Sequence, residues 1–86
     1  MKEKFSVHID PNEPVYVISV VSRIVHLPVW TLRILDREGI IQPKRKGKKT
    51  RFYCFKDIER LEYVHYLMEK KGINISGIKF ILESKE

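Results

Sequence analysis

A break at His26-Leu27-Pro28 divides the first half of this 86-residue chain and restricts the folds that it can adopt. Proline disfavours helical geometry at the residue before it, so a helix that reaches the break must end there. Ser19 is a favourable N-cap residue, which predicts a first helix over about 19–25. The apolar side of that helix would consist of Ile18, Val21, Ile24 and Val25.

A second helix is predicted over residues 29–38, directly after the break. The spacing of Leu32 and Leu35 turns both side chains toward a core, and Ile34 could join them. Four polar residues remain outside, namely Thr31, Arg33, Asp36 and Arg37. Gly39 follows where a residue in left-handed geometry is expected past the helix end. Two short helices joined by a tight break make a helix-turn-helix pattern, which many other helical hairpins share.

The segment after the second helix carries a dense group of cations around Gly47. Six cations fall within eight positions without an acid among them: Lys44, Arg45, Lys46, Lys48, Lys49 and Arg51. Gly47 supplies a turn, and Arg51-Phe52-Tyr53 alternates as a strand does, which predicts a β-hairpin or wing over about 43–54. A solvated loop is the alternative. Because like charges at this density repel one another and a polyphosphate would relieve the repulsion, we favour a nucleic-acid-binding hairpin.

The flanking segments complete a small, mainly α domain. Residues 1–14 mix charges with two prolines and predict a flexible arm, and residues 15–18 are β-prone, either a strand or an extended lead-in. Apolar residues at three- and four-residue steps predict a third helix over 55–71. A fourth, short helix fits about 76–83. Residues 15–86 therefore predict a winged helix-turn-helix, mainly α with a small β wing.

The charge balance suggests a polyanionic partner. The chain has 17 Lys and Arg residues against 11 Asp and Glu residues, a net charge of +6. A small basic domain attracts nucleic acid or an anionic membrane surface, although its charge also serves solubility. No apolar run approaches the roughly 20 residues that span a bilayer. The first residues also lack the apolar region of a signal peptide. We therefore expect a soluble cytoplasmic protein that binds no membrane.

Catalytic and metal-binding residue patterns are missing from the sequence. Cys54 is the single cysteine, which excludes an internal disulfide and a Cys-rich zinc site. His8, His26 and His65 are scattered, and none has a helical partner at metal-ligand spacing. Neither of the glycine-rich phosphate-binding patterns G-x-x-x-x-G-K and G-x-G-x-x-G occurs. We expect a protein that is not an enzyme and holds neither metal nor cofactor.

Several motifs occur in an order that resembles the MerR family of winged-helix transcriptional regulators. The resemblance runs from about Tyr16 to Leu82, most of the chain. Its motifs are Thr31-Leu32-Arg33, Asp36-Arg37-Glu38-Gly39-Ile40-Ile41-Gln42-Pro43, Arg51-Phe52-Tyr53, Asp57-Ile58-Glu59-Arg60-Leu61 and Gly72-Ile73-Asn74-Ile75 before Ile78-Lys79. The lead-in from Pro14 to Ser19 and the Gly72 motif are most similar to the heat-shock repressor branch.

The resemblance implies a sequence-specific repressor of transcription that binds double-stranded DNA. The second helix would enter the major groove, with its first residues near base edges or flanking phosphates. Arg33, the Tyr53 hydroxyl and Arg51 of the wing would contact the backbone or the adjacent minor groove. The full set of expected DNA-binding residues is Ser19, Val29, Trp30, Thr31, Arg33, Arg37, Lys44, Arg45, Lys46, Lys48, Lys49, Arg51 and Tyr53.

Three of these residues have a second interpretation. Trp30 could pack in the core, Thr31 could serve only to stabilise the helix start, and Tyr53 could pack on a strand face. The sequence also departs from the family pattern, because His26 stands where the turn usually has glycine, and residues 34–35 are aliphatic instead of aromatic. Histidine tolerates left-handed geometry better than most residues, so the turn is expected to form.

The family normally continues into a long helix that pairs two subunits, followed by an effector-sensing region, and this sequence ends at Glu86. We expect either an isolated DNA-binding domain or a minimal family member, which could form a homodimer or assemble on DNA. Two other functions stay open. One is an excisionase-like architectural protein that bends DNA, and the other is a protein-interaction module that has lost DNA binding.

Overall fold

The computed structural model describes residues 9–47 and 50–84, so Lys48 and Lys49, both predicted to bind DNA, lie outside the described residues. Seven elements follow one another in the described part: β1 (Tyr16–Val17), α1 (Ile18–Val25), α2 (Val29–Arg37), β2 (Lys44–Lys46), β3 (Thr50–Tyr53), α3 (Phe55–Lys70) and α4 (Ile75–Ser84). Their order is that of the winged helix-turn-helix expected from the sequence, with β2 and β3 as the wing.

A tight turn joins α1 to α2, whose axes differ in direction by 106°. His26 takes left-handed geometry there, with φ 60° and ψ 38°. The Ser22 hydroxyl donates to the Leu27 carbonyl over 2.5 Å, and the Leu27 N–H donates to the Ser22 carbonyl over 3.3 Å. These two bonds connect both sides of the break, so the turn holds α2 at a steep angle to α1.

The start of α1 corrects the predicted cap. The helix begins at Ile18 and its N-cap is Val17, which makes no side-chain capping bond, so Ser19 lies inside the first turn. The reason is that Val17 is already extended as a strand residue and pairs with Phe52. The strand therefore decides where the helix starts.

Three short antiparallel strands form one sheet in the order β1-β3-β2. In β1, Tyr16 pairs with Tyr53 and Val17 with Phe52. On the other side of β3 the pairs are Lys44 with Phe52, Arg45 with Arg51 and Lys46 with Thr50. An isolated two-stranded hairpin is at best marginally stable in water. The third strand, β1, attaches this hairpin to the helical core.

The core collects apolar side chains from α1, α2, β3, α3 and α4. Its buried members are Val21, Val25, Leu27, Leu32, Leu35, Ile40, Ile41, Tyr53, Ile58, Leu61, Val64, Leu67, Ile78 and Leu82. Ile24, expected on the inner side of α1, is instead 42% exposed, because α1 packs mainly through Val21 and Val25. Among the described helices none is by itself long and apolar enough to cross a bilayer, and the bent pair of α1 and α2 passes that test only when taken together.

Residues 9–14, the described part of the predicted flexible arm, form hydrogen bonds with one another and with α3. The Asn12 N–H donates to an Asp10 carboxylate oxygen over 2.8 Å, and the Glu13 N–H donates to the Asp10 carbonyl over 2.8 Å. The Lys56 N–H of α3 donates to the Pro11 carbonyl over 3.1 Å. The segment therefore forms a turn attached to the start of α3. The rest of the predicted arm, residues 1–8, lies outside the described residues.

Side chains near the first turns of α3 and α4 accept bonds from their backbones. The Asp57 carboxylate accepts from the Cys54 N–H at 3.0 Å, and the Asn74 carbonyl oxygen accepts from the Gly77 N–H at 2.8 Å. The bounds of these helices differ by one residue from the predicted ranges at most of their ends. Both helices pack against the core that supports α2.

Candidate nucleic-acid interface

The outer face of α2 presents one aromatic and two arginine side chains. Trp30, Arg33 and Arg37 are spaced by three and four residues, which places them on one side of a helix. Trp30 is 65% exposed, so its second interpretation as a core aromatic is excluded. Val29, at the first position of α2, is half-buried beside this face. The exposed face is free to meet a partner along the length of the helix.

Thr31 is a correction to the expected contact set. It is 3% exposed and lies on the inner side of α2 with Leu32 and Leu35. Its N–H donates to the Pro28 carbonyl over 3.0 Å at the start of the helix. This burial agrees with the second interpretation, in which Thr31 serves only to stabilise the helix start.

The cationic side chains of β2 are exposed on the hairpin. Lys44, Arg45 and Lys46 are all exposed. The Lys46 ammonium lies 4.9 Å from the centroid of the Phe52 ring on the neighbouring strand. Such a cation–π contact orients a long side chain that would otherwise sample many rotamers. The wing therefore presents positive charge on its exposed surface.

A groove of about 550 Å³ separates α2 from the hairpin. Its lining residues come from β1, α1, α2, β2 and β3, and they are Val17, Ile18, Arg33, Asp36, Arg37, Arg45, Thr50 and Arg51. Four arginines and one acid face this space. Ser19, predicted to bind DNA, is exposed directly after Ile18 of the groove wall. The groove brings the cations of α2 and of the hairpin together on one surface.

A second cavity, of about 430 Å³, has balanced charge. It lies between the end of α2, α3 and α4, and its charged lining residues are Asp57, Glu83, Arg60 and Lys79. Just outside it, the Lys79 ammonium lies 3.7 Å from the Glu38 carboxylate. The excess of positive charge is therefore a property of the groove between α2 and the hairpin. A polyanion would be attracted to that groove more strongly than to this second cavity.

An ion pair between Arg51 of β3 and Asp36 of α2 crosses the groove. The two side chains are 29% and 18% exposed, so the pair is largely shielded from solvent. Sequence reasoning placed Asp36 outside α2 and Arg51 on the wing, but it did not predict their pairing. No periodicity relates positions on a helix and on a later strand, so only the tertiary fold reveals this contact.

Tyr53 is the second correction to the expected contact set. It is 1% exposed, and its buried hydroxyl has no hydrogen-bond partner among the described residues. Burial, and secondarily the nearby Asp36 carboxylate, raises the pKa of Tyr53 from 10.0 to about 12. The expected contact from this hydroxyl to a phosphate does not fit a side chain in the core. Tyr53 instead packs on a strand face, which was its second interpretation.

Comparison with known proteins identifies the family. Residues 16–85 match the family described as "MerR HTH family regulatory protein". The chain belongs to the MerR helix-turn-helix family. As a MerR domain it is also 46% identical over 72 residues to HspR of Streptomyces coelicolor, a protein with a heat-shock name, which agrees with the branch suggested by the sequence. That match covers 84% of the chain and 48% of HspR, so the chain spans about half the length of this relative.

The fold of this MerR domain also matches a solved structure. The crystal structure of HiNmlR, "a MerR family regulator lacking the sensor domain, bound to promoter DNA", superposes with a TM-score of 0.70 at 24% identity. The match covers 81% of this chain and 53% of that one. The predicted winged helix-turn-helix fold is therefore confirmed, and the family is one of regulatory proteins.

Two departures from the MerR sequence pattern are explained by the structure. His26 adopts the left-handed geometry for which the family usually has glycine. At residues 34–35, where the family usually has aromatics, Leu35 is fully buried and Ile34 is half-buried. Aliphatic side chains thus fill the core beneath α2.

Proposed function

We propose that this chain is the DNA-reading domain of a MerR-type transcriptional repressor. The observation that carries the proposal is the groove between α2 and the hairpin, where four arginines face one acid. In this arrangement α2 enters the major groove of duplex DNA and the hairpin follows the neighbouring backbone. An α-helix with its side chains is about 10–12 Å in diameter, so α2 fits a major groove about 12 Å wide.

The proposed contacts divide into two kinds. Arg33, Arg37 and the hairpin cations bind phosphates, which sets position and affinity without reading sequence. Trp30, at the exposed start of α2, lies against base edges or the thymine methyl group and contributes to sequence preference. Lys48 and Lys49, which lie outside the described residues, are proposed to bind phosphates as well. Thr31 and Tyr53 are not part of the contact set.

The repressor role follows from the resemblance to the heat-shock repressor branch, with which the name of HspR, a heat shock protein, is consistent. The solved HiNmlR structure, bound to promoter DNA, supports a duplex promoter as the partner. We infer that residues 15–86 act as one domain on chromosomal DNA in the cytoplasm. We further infer that two copies act together on repeated half-sites, as a homodimer or as an oligomer that forms on DNA.

Selection of bound duplexes from a random pool tests this function directly. We expect enrichment of a common sequence, followed by tight binding of that sequence and about 1000-fold weaker binding of unrelated duplexes. The same selection shows whether half-sites are inverted, as for a two-fold dimer, or directly repeated, as for an architectural filament. Recovery of random sequences, or no recovery at low salt, would contradict the proposal.

A further inference from the structure

Asp36 is an acidic residue in the groove between α2 and the hairpin, where the other described charged side chains are cations. Among the described residues that line the groove between α2 and the hairpin, every other charged side chain is an arginine. A carboxylate at this place lowers the positive potential and repels phosphate. Its presence opposes affinity for DNA, so a second role must account for it.

The partner of Asp36 indicates that role. Asp36 projects from α2 and pairs with Arg51 of β3, and both side chains are mostly shielded from solvent. Arg51 also lies directly opposite Arg45 in the hairpin, where like charges repel. The Asp36 carboxylate therefore joins the reading helix to the wing and offsets a repulsion inside the wing.

Other described contacts hold the base of the hairpin and not its outer part. Val17 of β1 pairs with Phe52, and Tyr53 is buried in the core, so the end of β3 is fixed to the helices. Arg51 precedes Phe52 in β3, so it is the first residue of the strand beyond this fixed end in the direction of the hairpin turn. The pair of Asp36 with Arg51 provides a side-chain link from α2 to this outer part of the hairpin.

We propose that Asp36 is a positioning residue that fixes the wing relative to α2, and thereby raises sequence discrimination while lowering non-specific affinity. The inference rests on the proposed DNA-binding function. The Asp36 carboxylate neutralises and orients Arg51. The phosphate-binding residues of the wing then stay at a fixed distance from the face of α2 that contacts bases. Correct register then depends on the sequence that α2 meets.

The test compares Asp36→Asn with Glu38→Gln, which removes the same charge from the same end of the domain. Glu38 is exposed, and its carboxylate lies 3.7 Å from the Lys79 ammonium. For Asp36→Asn we expect an unrelated duplex to bind about 5- to 10-fold more tightly at 0.1 M salt, because one more cation is available for a phosphate. The log–log salt slope should steepen by about 0.9. The ratio between selected and unrelated duplexes should fall by about 10-fold, comparable to the loss of one base pair's discrimination.

Glu38→Gln should leave the ratio of affinities for selected and unrelated duplexes unchanged. Asp36→Glu, which restores a carboxylate, should recover most of that ratio. A second measurement needs no DNA. Residual dipolar couplings of the free protein report the orientation of β3 relative to α2, and we expect Asp36→Asn, but not Glu38→Gln, to change or average them.

Two results would overturn the inference. Equal tightening on both duplexes would show that Asp36 acts as a charge alone, and unchanged couplings in Asp36→Asn would show that it does not position the wing. Failure of the wild type to bind any duplex would overturn the proposed function and the discrimination effect together. Duplex binding by the wild type with unchanged couplings in Asp36→Asn would overturn this inference and leave the proposed function standing.

Discussion

The hydroxyl of Tyr53 lies in the core beneath the arginine groove and has no hydrogen-bond partner in the described part of the chain. A buried polar group without a partner costs about 1–3 kcal/mol of stability. The aromatic ring stabilises the junction between β3 and the helices, whereas the hydroxyl works against it. Tyr53 is therefore the position where removal of one atom should improve the fold.

We expect Tyr53→Phe to raise the free energy of unfolding by about 1 kcal/mol, because the apolar contacts remain and the unpartnered hydroxyl is removed. Urea denaturation followed by circular dichroism measures this change. Duplex affinity should stay within about 2-fold of wild type, a difference of about 0.4 kcal/mol. A larger loss of affinity would mean that the hydroxyl reaches a phosphate after all.

Tyr53→Phe also isolates the contribution of Tyr53 to the loss of stability at alkaline pH. The pKa of Tyr53 is about 12 in the folded protein and 10.0 for the free side chain, so the unfolded state loses its proton first. The unfolded state then binds fewer protons, and stability falls as pH rises from 10 to 12. The stability linked to the Tyr53 proton is fully present below pH 10, and the free energy of unfolding that is lost above it is at most about 2–3 kcal/mol. Wild type should lose this amount relative to Tyr53→Phe, and parallel pH profiles would contradict the raised pKa.

Trp30 is the residue for which we expect an effect on sequence preference without an effect on folding. Because it is 65% exposed, Trp30→Ala should change the free energy of unfolding by about 0.5 kcal/mol or less. Affinity for the selected duplex should fall by about 10-fold, with little change on unrelated duplexes. Phe80→Ala is the matched control, since Phe80 is a 71% exposed aromatic on α4. Equal losses of affinity for the selected duplex in both variants would show that Trp30 does not contact bases.

At the scale of elements, the turn between α1 and α2 carries local strain. His26 has φ 60°, a region that side chains with a Cβ enter at a cost and glycine enters freely. We expect His26→Gly to raise the midpoint of thermal unfolding, corresponding to about 0.5–1 kcal/mol. The β-branched His26→Val should lower it, since such residues are true outliers at this geometry. The reverse order of the two variants would contradict left-handed geometry at the turn.

The hairpin is expected to act as a sequence-independent clamp. Replacing Lys44 and Lys46 with Gln should weaken all duplexes alike and reduce the salt slope by nearly two units, about 0.9 for each phosphate that the wing then leaves without a cation. Lys70 and Lys71 provide the control, because they lie at the other end of α3, about 22 Å along the helix from Phe55. Their replacement should change the slope much less. Similar effects from both pairs would show that total charge alone governs binding.

Elements whose signals are local were predictable from the sequence. Apolar periodicity predicted α2, α3 and α4, and the cation-rich turn predicted the β2–β3 hairpin. The start of α1 and the attachment of residues 9–14 to α3 were not predictable, because Val17 pairs with Phe52 and the Pro11 carbonyl accepts from Lys56 of α3. These are contacts between distant parts of the chain, and a local pattern contains no information about them.

The candidate site was predictable to a similar extent. Helical spacing placed Arg33 and Arg37 outside, whereas Trp30 was left open between the core and the DNA-binding face. The spacing also held a signal that Thr31 is buried, since Thr31 and Leu35 are four residues apart on one side of α2. The pairing of Asp36 with Arg51 depends on the tertiary fold, which no spacing rule supplies.

At the scale of the whole molecule, charge is unevenly distributed over the described surface. The groove between α2 and the hairpin has four arginines against one acid, whereas the cavity near α4 has two cations against two acids. A polyanion that approaches the domain is therefore steered toward the face that carries Trp30. Recognition and attraction use the same surface, which is the arrangement that a DNA-reading domain requires.

The most direct test of DNA binding is a fluorescence anisotropy titration of the wild-type chain with duplex DNA at increasing salt. If α2 and the hairpin together neutralise about five phosphates, log affinity should fall linearly with log salt with a slope near −4 to −5. The selected duplex should keep its advantage over an unrelated one throughout. No binding at low salt, or a slope near zero, would contradict the assignment of this groove to DNA.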